Sequence, residues 1–483
     1  MADTWNHFYM QTTGSDLNAG STTDDAAVFT YAAGTFVRAT GIFTVAGGNP
    51  QTDGVTTDMW ASVYTTSGAA TTKYVAKITA RDATTITTDY TTLKLGQTAT
   101  VSESAGAATC KVGGAWASPA VLDYIYPSST STMNSCINIK AGTYANTTNT
   151  RSIVITGTTL LPVWLRGYKT TKGDMDVAGG TRAAGTDIPL ITFTTGRLVI
   201  SGAHITLSNI DITGAYVASA SSQVRATGGN LKLIRCRIEN TSASANSYAF
   251  SCATTGPMYL IGCRLKADVA ATYVARCDVA TSFLGCHVIG GLTSISTTSG
   301  IHVVNSVIES FITNGIEVPG VNSHAVIQGN SIYSGEASSV GVLISGLPTA
   351  GMCLVSNNII GCVTGIGNAG TGTNGVVPFR NHFYGATNNM TGLTELAAYN
   401  DPLGVASLLI DDDTDPWVDK ATNDFTLAAA AVDKSAGFPG VFEGQTKMTG
   451  YPDIGAVRHI DPTAGGGAVG DSGRGMWRGM GKM

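Results

Sequence analysis

Hydrophobic and polar positions alternate in short runs along the middle of the chain, and one eight-residue pattern keeps returning. Aligned without gaps it reads ITLSNIDI (205–212), LKLIRCRI (231–238), MYLIGCRL (258–265), TSFLGCHV (281–288), IHVVNSVI (301–308), AVIQGNSI (325–332), MCLVSNNI (352–359) and VVPFRNHF (376–383). The third and eighth positions are apolar, as in Leu233, Leu260, Phe283 and Val303 and in Ile238, Leu265, Val288 and Ile308, with Pro378 the one break at the third. The seventh is mostly polar: Asp211, Arg237, Arg264, His287, Ser331, Asn358 and His382. That is the period-two signature of strands with one face inward. The fifth position (Asn209, Arg235, Gly262, Gly285, Asn305, Gly329, Ser356, Arg380) is rich in Gly and Asn, which tolerate positive φ, so each octet is predicted to be strand, corner, strand.

The sixth position reads Ile210, Cys236, Cys263, Cys286, Ser306, Asn330, Asn357 and Asn381, at intervals of 26, 27, 23, 20, 24, 27 and 24 residues. A further strand follows some octets, visible as NGIEV (314–318), VGVLI (340–344) and TGIGN (364–368). Short strands and corners repeating every 20 to 27 residues predict an all-β solenoid, a parallel β-helix. An α-solenoid would carry 3.6-residue periodicity, and leucine-rich repeats their own Leu/Asn spacing.

The cysteine column then has to be weighed as chemistry. Successive coils lie about 4.8 Å apart, so Cys236 and Cys286 would be about 9.6 Å apart, whereas thiolates sharing one zinc cannot exceed about 4.6 Å. A zinc trio is excluded, and no metal or cofactor is expected elsewhere: no C-x-x-C pair occurs and the seven His residues show no ligand spacing. A disulfide between neighbours would need Cβ atoms slightly closer than the coil spacing gives. The reading that covers every copy is a structural ladder, thiols in Cys236, Cys263 and Cys286 giving way to Ser306 and then to stacked amides of Asn330, Asn357 and Asn381.

Composition fits this picture. Charged residues make up 13% of the 483 residues, Gly is abundant at 59, and the net charge is −5 with Lys and Arg scattered rather than striped, which argues against a nucleic-acid partner. No apolar run is long enough to cross a membrane, and the opening MADTWNHFYMQTTGSD lacks the basic and apolar regions of a secretory signal. Nine cysteines, an odd number, are expected to be reduced and mostly buried in a chain folded in the cytosol.

The ends carry a resemblance. QTTGSDLNAG followed by DDAAVFTYAA, then INIKAGTY (137–144), and later DPWVDKATNDFTL (415–427), AVDKSAG (431–437) and PDIGAV (452–457) resemble the opening and closing segments of right-handed parallel β-helix proteins of the pectate-lyase-like superfamily. The resemblance implies that fold, with a turn and short capping helix at the start. It implies no single function, because the superfamily includes lyases, hydrolases, adhesins and phage particle proteins. The expected organisation is an N-terminal strand/helix cap (1–35), an inserted small β-barrel or sandwich (36–118), where YVAKITARDATTITTDY (74–90) alternates like a hairpin, the β-helix (119–400), a closing segment (401–460) and a Gly-rich tail (461–483). The insert either blocks edge pairing or docks a partner. The end of the tail, with Arg474, Met476, Trp477, Arg478 and Met480, reads as a frayed terminus or as a tether to a neighbouring subunit.

Catalytic candidates are sparse. Glu239 and Glu309 share a column three coils apart, about 14 Å. Asp278 and Glu317 are the least unfavourable carboxylate pair, at about 10 Å. The run DDDTDPWVD (411–419) lacks the Gly turn and distal Glu of a calcium loop and reads as a structural turn. The expectation is a non-enzymatic structural protein of a bacteriophage virion exterior, a capsid decoration or tailspike-like projection assembled in the host cytoplasm. Its expected partners are capsid or tail proteins, copies of itself (a trimer by analogy) and a surface glycan. The alternatives are a polysaccharide depolymerase on the same fold and a bacterial surface adhesin.

Overall fold

The protein was analysed as a computed structural model. It describes residues 5–428 except 17, 25, 38, 66–73, 90–93, 96–103, 122–133, 147–149, 155–157, 159, 175–182, 218–220, 254–255, 319–323, 346–351, 370–375, 380, 392–408, 412–414 and 420–423. The AVDKSAG and PDIGAV segments and the tail, including Arg474, Met476, Trp477, Arg478 and Met480, lie outside the described residues. The chain divides into two compact units: Met1–Asp176 with Thr181–Gly214 and Val224–Lys232, and Val177–Gly180 with Ala215–Gln223 and Leu233–Met483.

The first unit holds the opening coils of a parallel β-helix and the insert. Strand Asn6–Met10 pairs in parallel with Ser135–Lys140, which pairs with Val163–Tyr168 and so with Ile205–Ser208, forming a first sheet. Gly142–Asn146, Pro189–Phe193 and Asp211–Gly214 form a second sheet. Arg151–Ile153, Leu198–Ile200 and Ser221–Ala226 form a third. Residues 6–10 are therefore already a strand of the helix, and the insert interrupts its first coil.

The insert is an antiparallel seven-stranded sheet from Phe29–Val37 to Ser104–Val112, with Tyr74–Arg81 and Thr85–Thr88 as a hairpin. Here one expectation fails: DDAAVFTYAA leads not into a capping helix but into the strand Phe29–Val37. The reason is packing, since Tyr31 and Phe36 are buried in the insert core with Phe43, Val63, Ile78 and Val112. The antiparallel sheet thus starts at Phe29, before the boundary drawn at residue 36.

The GSD-x-N-x-G turn ties this insert to the first coil. Asp16 accepts from Ala117 N, Ser118 N and Ser118 Oγ at 2.6 to 3.0 Å. Asn18 donates to Ala115 O, and its own carbonyl accepts from the indole of Trp116. Gly20 has φ +76, and a Cβ there would lie 2.2 Å from the Trp116 ring, so only glycine serves. Trp116 in turn stacks on Phe8 at 5.5 Å.

The second unit repeats a three-strand coil. The octets supply its first two strands, for example Met258–Ile261 and Arg264–Lys266, and Tyr273–Cys277 is a third. NGIEV, VGVLI and TGIGN are third-sheet strands paired in parallel. Register aligns Leu260, Phe283 and Val303 in one buried stack, and Ile238, Leu265, Val288 and Ile308 in another. The corner residue sits at positive φ in Arg235, Gly262, Gly285, Asn305, Gly329 and Asn357. At the far end the closing hairpin, Trp417–Asp419 with Asp424–Leu427, packs Trp417 and Phe425 on Ile359, Tyr333 and Tyr384. Gly361 makes room for it, because a Cβ would lie 3.2 Å from the Trp417 ring.

Inside the corner the sixth-position side chains bond from coil to coil. Asn381 Nδ2 donates to Val355 O at 2.8 Å, and Asn330 Nδ2 donates to Val303 O at the same distance. The seventh octet, however, is shifted by one residue. Register pairs Ala325 with Cys353 and Ile332 with Ile360, so this octet is CLVSNNII (353–360). Asn357, not Ser356, takes the positive-φ corner, and the ladder residue is Asn358. Its Oδ1 accepts from Asn330 N and Nδ2 at 2.9 Å, and its Nδ2 reaches Ile327 O and Asn381 Oδ1. Asn357→Gly should therefore leave unfolding free energy within about 1 kcal/mol, since glycine suits that backbone. Asn358→Ala should cost about 3 kcal/mol by orphaning buried partners, with both variants compared by guanidinium unfolding followed by circular dichroism.

Candidate functional site

Outward-facing positions of the second unit carry the titratable groups, and strand register decides which of them meet. On the third sheet Arg276, Ser296 and Glu317 are register neighbours on successive coils. Asp278 lies just beyond the strand Tyr273–Cys277. Its Oδ1 is 3.5 Å from Arg276 Nε and 3.4 Å from Thr298 Oγ1. Glu317 is half-buried, and burial pushes its carboxyl above the ordinary range, opposed by a hydrogen bond from Ser296. Two strand spacings and two residues along the strand separate Asp278 from Glu317, roughly 12 Å. That is wider than the roughly 5 to 9.5 Å at which two carboxyl groups cleave a glycosidic bond together.

The second sheet carries a denser charged face. Arg237, Arg264 and His287 are register neighbours, and beside them run Glu239, Lys266, Ile289 and Glu309. Lys266 Nζ bonds Glu239 Oε1 at 2.8 Å, and His287 Nε2 lies 2.7 Å from Glu309 Oε1. Glu309 is 2% exposed, so that hydrogen bond satisfies a buried polar group. Glu239 and Glu309 thus share a column, with Lys266 and Ile289 between them.

The first unit holds an aromatic cluster that sequence reading passed over. On the outer face of the first sheet Arg166 lies 4.8 Å over the Trp164 ring, and Trp5 meets that ring edge-on at 5.9 Å. Arg166 Nη2 donates to Asn138 Oδ1 and Trp164 Nε1 to Ser208 Oγ, both at 2.8 Å. The only sequence signal was the even spacing of Trp164 and Arg166 on one strand.

None of the nine cysteines forms a disulfide, and all are buried. Cys263 Sγ donates to Leu233 O and Cys286 Sγ to Leu260 O, both at 3.3 Å. The backbone N–H of Cys286 is satisfied by Ser306 Oγ, and that of Ser306 by Asn330 Oδ1. A second pair, Cys252 and Cys277, consists of third-sheet register partners. The contact with Cys277 lowers the Cys252 thiol, while burial raises that of Cys277. Burial alone pushes Cys110 and Cys353 up to about 12. Among the described residues no group of three or more His, Cys, Asp or Glu side chains could hold a metal ion. Asp415 Oδ1 instead accepts from Trp417 N at 3.1 Å, forming a turn into the closing hairpin.

Three solved structures are similar. A pectate lyase, Pel9A, matches 68% of this chain and 88% of its own at 13% identity and a TM-score of 0.39. A PL6 family alginate lyase, AlyGC, matches 62% of this chain and 53% of its own at 10% identity and 0.24. The tailspike protein gp49 of Pseudomonas phage LKA1 matches 80% of this chain and 70% of its own at 9% identity and 0.23. No protein-family model and no curated relative matches the chain. The chain is a parallel β-helix by its own sheets, and likenesses this distant do not separate an enzyme from a structural protein.

Two outcomes test these environments. Ellman's reagent at pH 8 should label none of the nine thiols in the native protein and all nine after denaturation. Raising the folded-state affinity of Glu317 for its proton costs stability as pH rises through and beyond the ordinary carboxylate range. Glu317→Gln should therefore melt higher than the wild type at pH 7. That gap should close below about pH 4, where the carboxyl is protonated in both states.

Proposed function

We propose that this chain is a non-enzymatic structural protein of the exterior of a bacteriophage particle, a decoration or tailspike-like projection. The observation that carries this reading is the use made of polar side chains. Inside, amides and hydroxyls lock each coil to the next; outside, Glu239, Glu309 and Asp278 are engaged by Lys266, His287 and Arg276. Such a body resists local opening and hence proteolysis, which is what a part exposed outside a cell needs. Particles of this kind assemble in the cytosol, in keeping with nine cysteines that form no disulfide. Partners in this reading are capsid or tail proteins and further copies of the chain, in a trimer by analogy.

One observation favours a second reading, a polysaccharide depolymerase. Glu317 is a half-buried carboxyl whose affinity for its proton is raised, the property of a general acid. The readings part experimentally. Mass spectrometry of gradient-purified particles from the virus encoding this chain should find it in stoichiometric amount, and its absence would sink the structural reading. The purified protein should leave host capsule polysaccharide unshortened. Shortening that is lost in Glu317→Gln would transfer the assignment to the depolymerase.

A further inference from the structure

Among the described residues, the charged face of the second sheet contains a cation, Arg264, for which no ion pair is formed. Arg237, Arg264 and His287 occupy one column on three successive coils, so the Cα atoms of the two arginines are about 4.8 Å apart. Both nearby carboxylates are committed, Glu239 to Lys266 and Glu309 to His287. Asp211 holds the same octet position two octets before Arg264 in the sequence. Arg264 Nε is buried and has no hydrogen-bond partner among the described residues.

Two in-register guanidinium groups repel each other, and a buried guanidinium N–H left unbonded costs stability. An oxyanion placed between them relieves both, because the planar fork of arginine matches carboxylate, sulfate and phosphate oxygens. The surroundings are built for such a group. Glu309, 2% exposed, holds the His287 imidazole in place, and the ammonium of Lys266 flanks Arg264 two residues along the same strand. The Lys266 and His287 side chains are 45% and 30% exposed, so a ligand can reach the column from solvent.

We infer that the outer face of the second sheet is an oxyanion-binding site, with Arg264 as its anchor and Arg237, Lys266 and His287 around it. The inference stands on this geometry and is independent of the particle reading. The shared chemistry is an oxyanionic group, supplied either as a free inorganic anion or as a substituent of an acidic saccharide.

Thermal melting of the full chain tests it with sodium phosphate, sodium sulfate and a hyaluronan tetrasaccharide, against sodium chloride at matched ionic strength and neutral maltotetraose. Sulfate also raises melting temperatures generally, by exclusion from protein surface, so the reading is the wild-type shift minus that of Arg264→Gln. At least one anionic probe should shift the wild type several degrees more than the variant, with affinity about tenfold weaker in Arg264→Gln. Arg264→Lys should recover part of the difference, and Lys232→Gln, on the first sheet, none of the loss. A shift with phosphate or sulfate alone assigns a free-anion site, and one with the tetrasaccharide assigns a saccharide-borne group. Should Arg264→Gln fail to fold, Lys266→Gln serves, with affinity about threefold weaker. Equal shifts in wild type and variants with every probe would overturn the inference.

Discussion

The structure depends on one recurring interaction, the side-chain hydrogen bond that each inner-corner residue makes to the coil before it. An asparagine amide is suited to this place because it both donates and accepts. Asn330, Asn358 and Asn381 each give their Nδ2 to a carbonyl of the preceding coil, at Val303, Ile327 and Val355. The Oδ1 of Asn358 and of Asn381 also takes the backbone N–H of the ladder residue before it. Backbone N–H groups of Asn330 and Asn358 and carbonyls of Val303, Ile327 and Val355 at the corners are thereby satisfied within the chain. A thiol does the donating half, as Cys263 and Cys286 do, but is a poor acceptor. Ser306 sits where the column changes from one solution to the other, accepting from Cys286 N and presenting its own N–H to Asn330.

This bond fixes the corner, and the corner fixes everything outside it. A side chain can turn inward at the sixth position only if the fifth residue reverses the chain at positive φ. Hence Gly262, Gly285 and Gly329, and hence the tolerance for Asn305 and Asn357 and the strained exception of Arg235. With the corner pinned, strand register follows, and with register the neighbours of every outward side chain. The ion pair of Lys266 with Glu239 spans 27 residues and the hydrogen bond between His287 and Glu309 spans 22, yet both are between neighbours across one coil.

Most of the fold was legible because burial and corner geometry write on the same eight positions. Where they were degenerate, the reading slipped. In MCLVSNNII either frame puts an asparagine at the sixth position and an isoleucine at the eighth, Asn357 with Ile359 or Asn358 with Ile360, and either puts an aliphatic residue at the third. Only coil-to-coil pairing separates them, and that is a non-local fact. The strand Phe29–Val37 was hidden for a related reason. Its Gly34 looks neither strand-like nor buried until Phe43 is packed against it; a Cβ on Gly34 would lie 2.2 Å from that ring. Local propensity carries little weight against such a contact.

The outer faces were the least legible part, because coil length varies and sequence distance does not say which charges touch. Asp278 and Glu317 looked like a pair until Asp278 proved to lie by Arg276 and Glu317 by Ser296. The column of Arg237, Arg264 and His287 was written in the seventh position of the octets, but as a polar face rather than as a local excess of cations. Glu309 is buried on this face, where a polar group needs a hydrogen-bond partner. His287 supplies that partner at 2.7 Å, which fixes an imidazole on the coil next to Arg264. The same rule that makes the interior rigid, a partner on the next coil for a polar group, is what makes the Nε of Arg264 stand out, since it has no hydrogen-bond partner among the described residues.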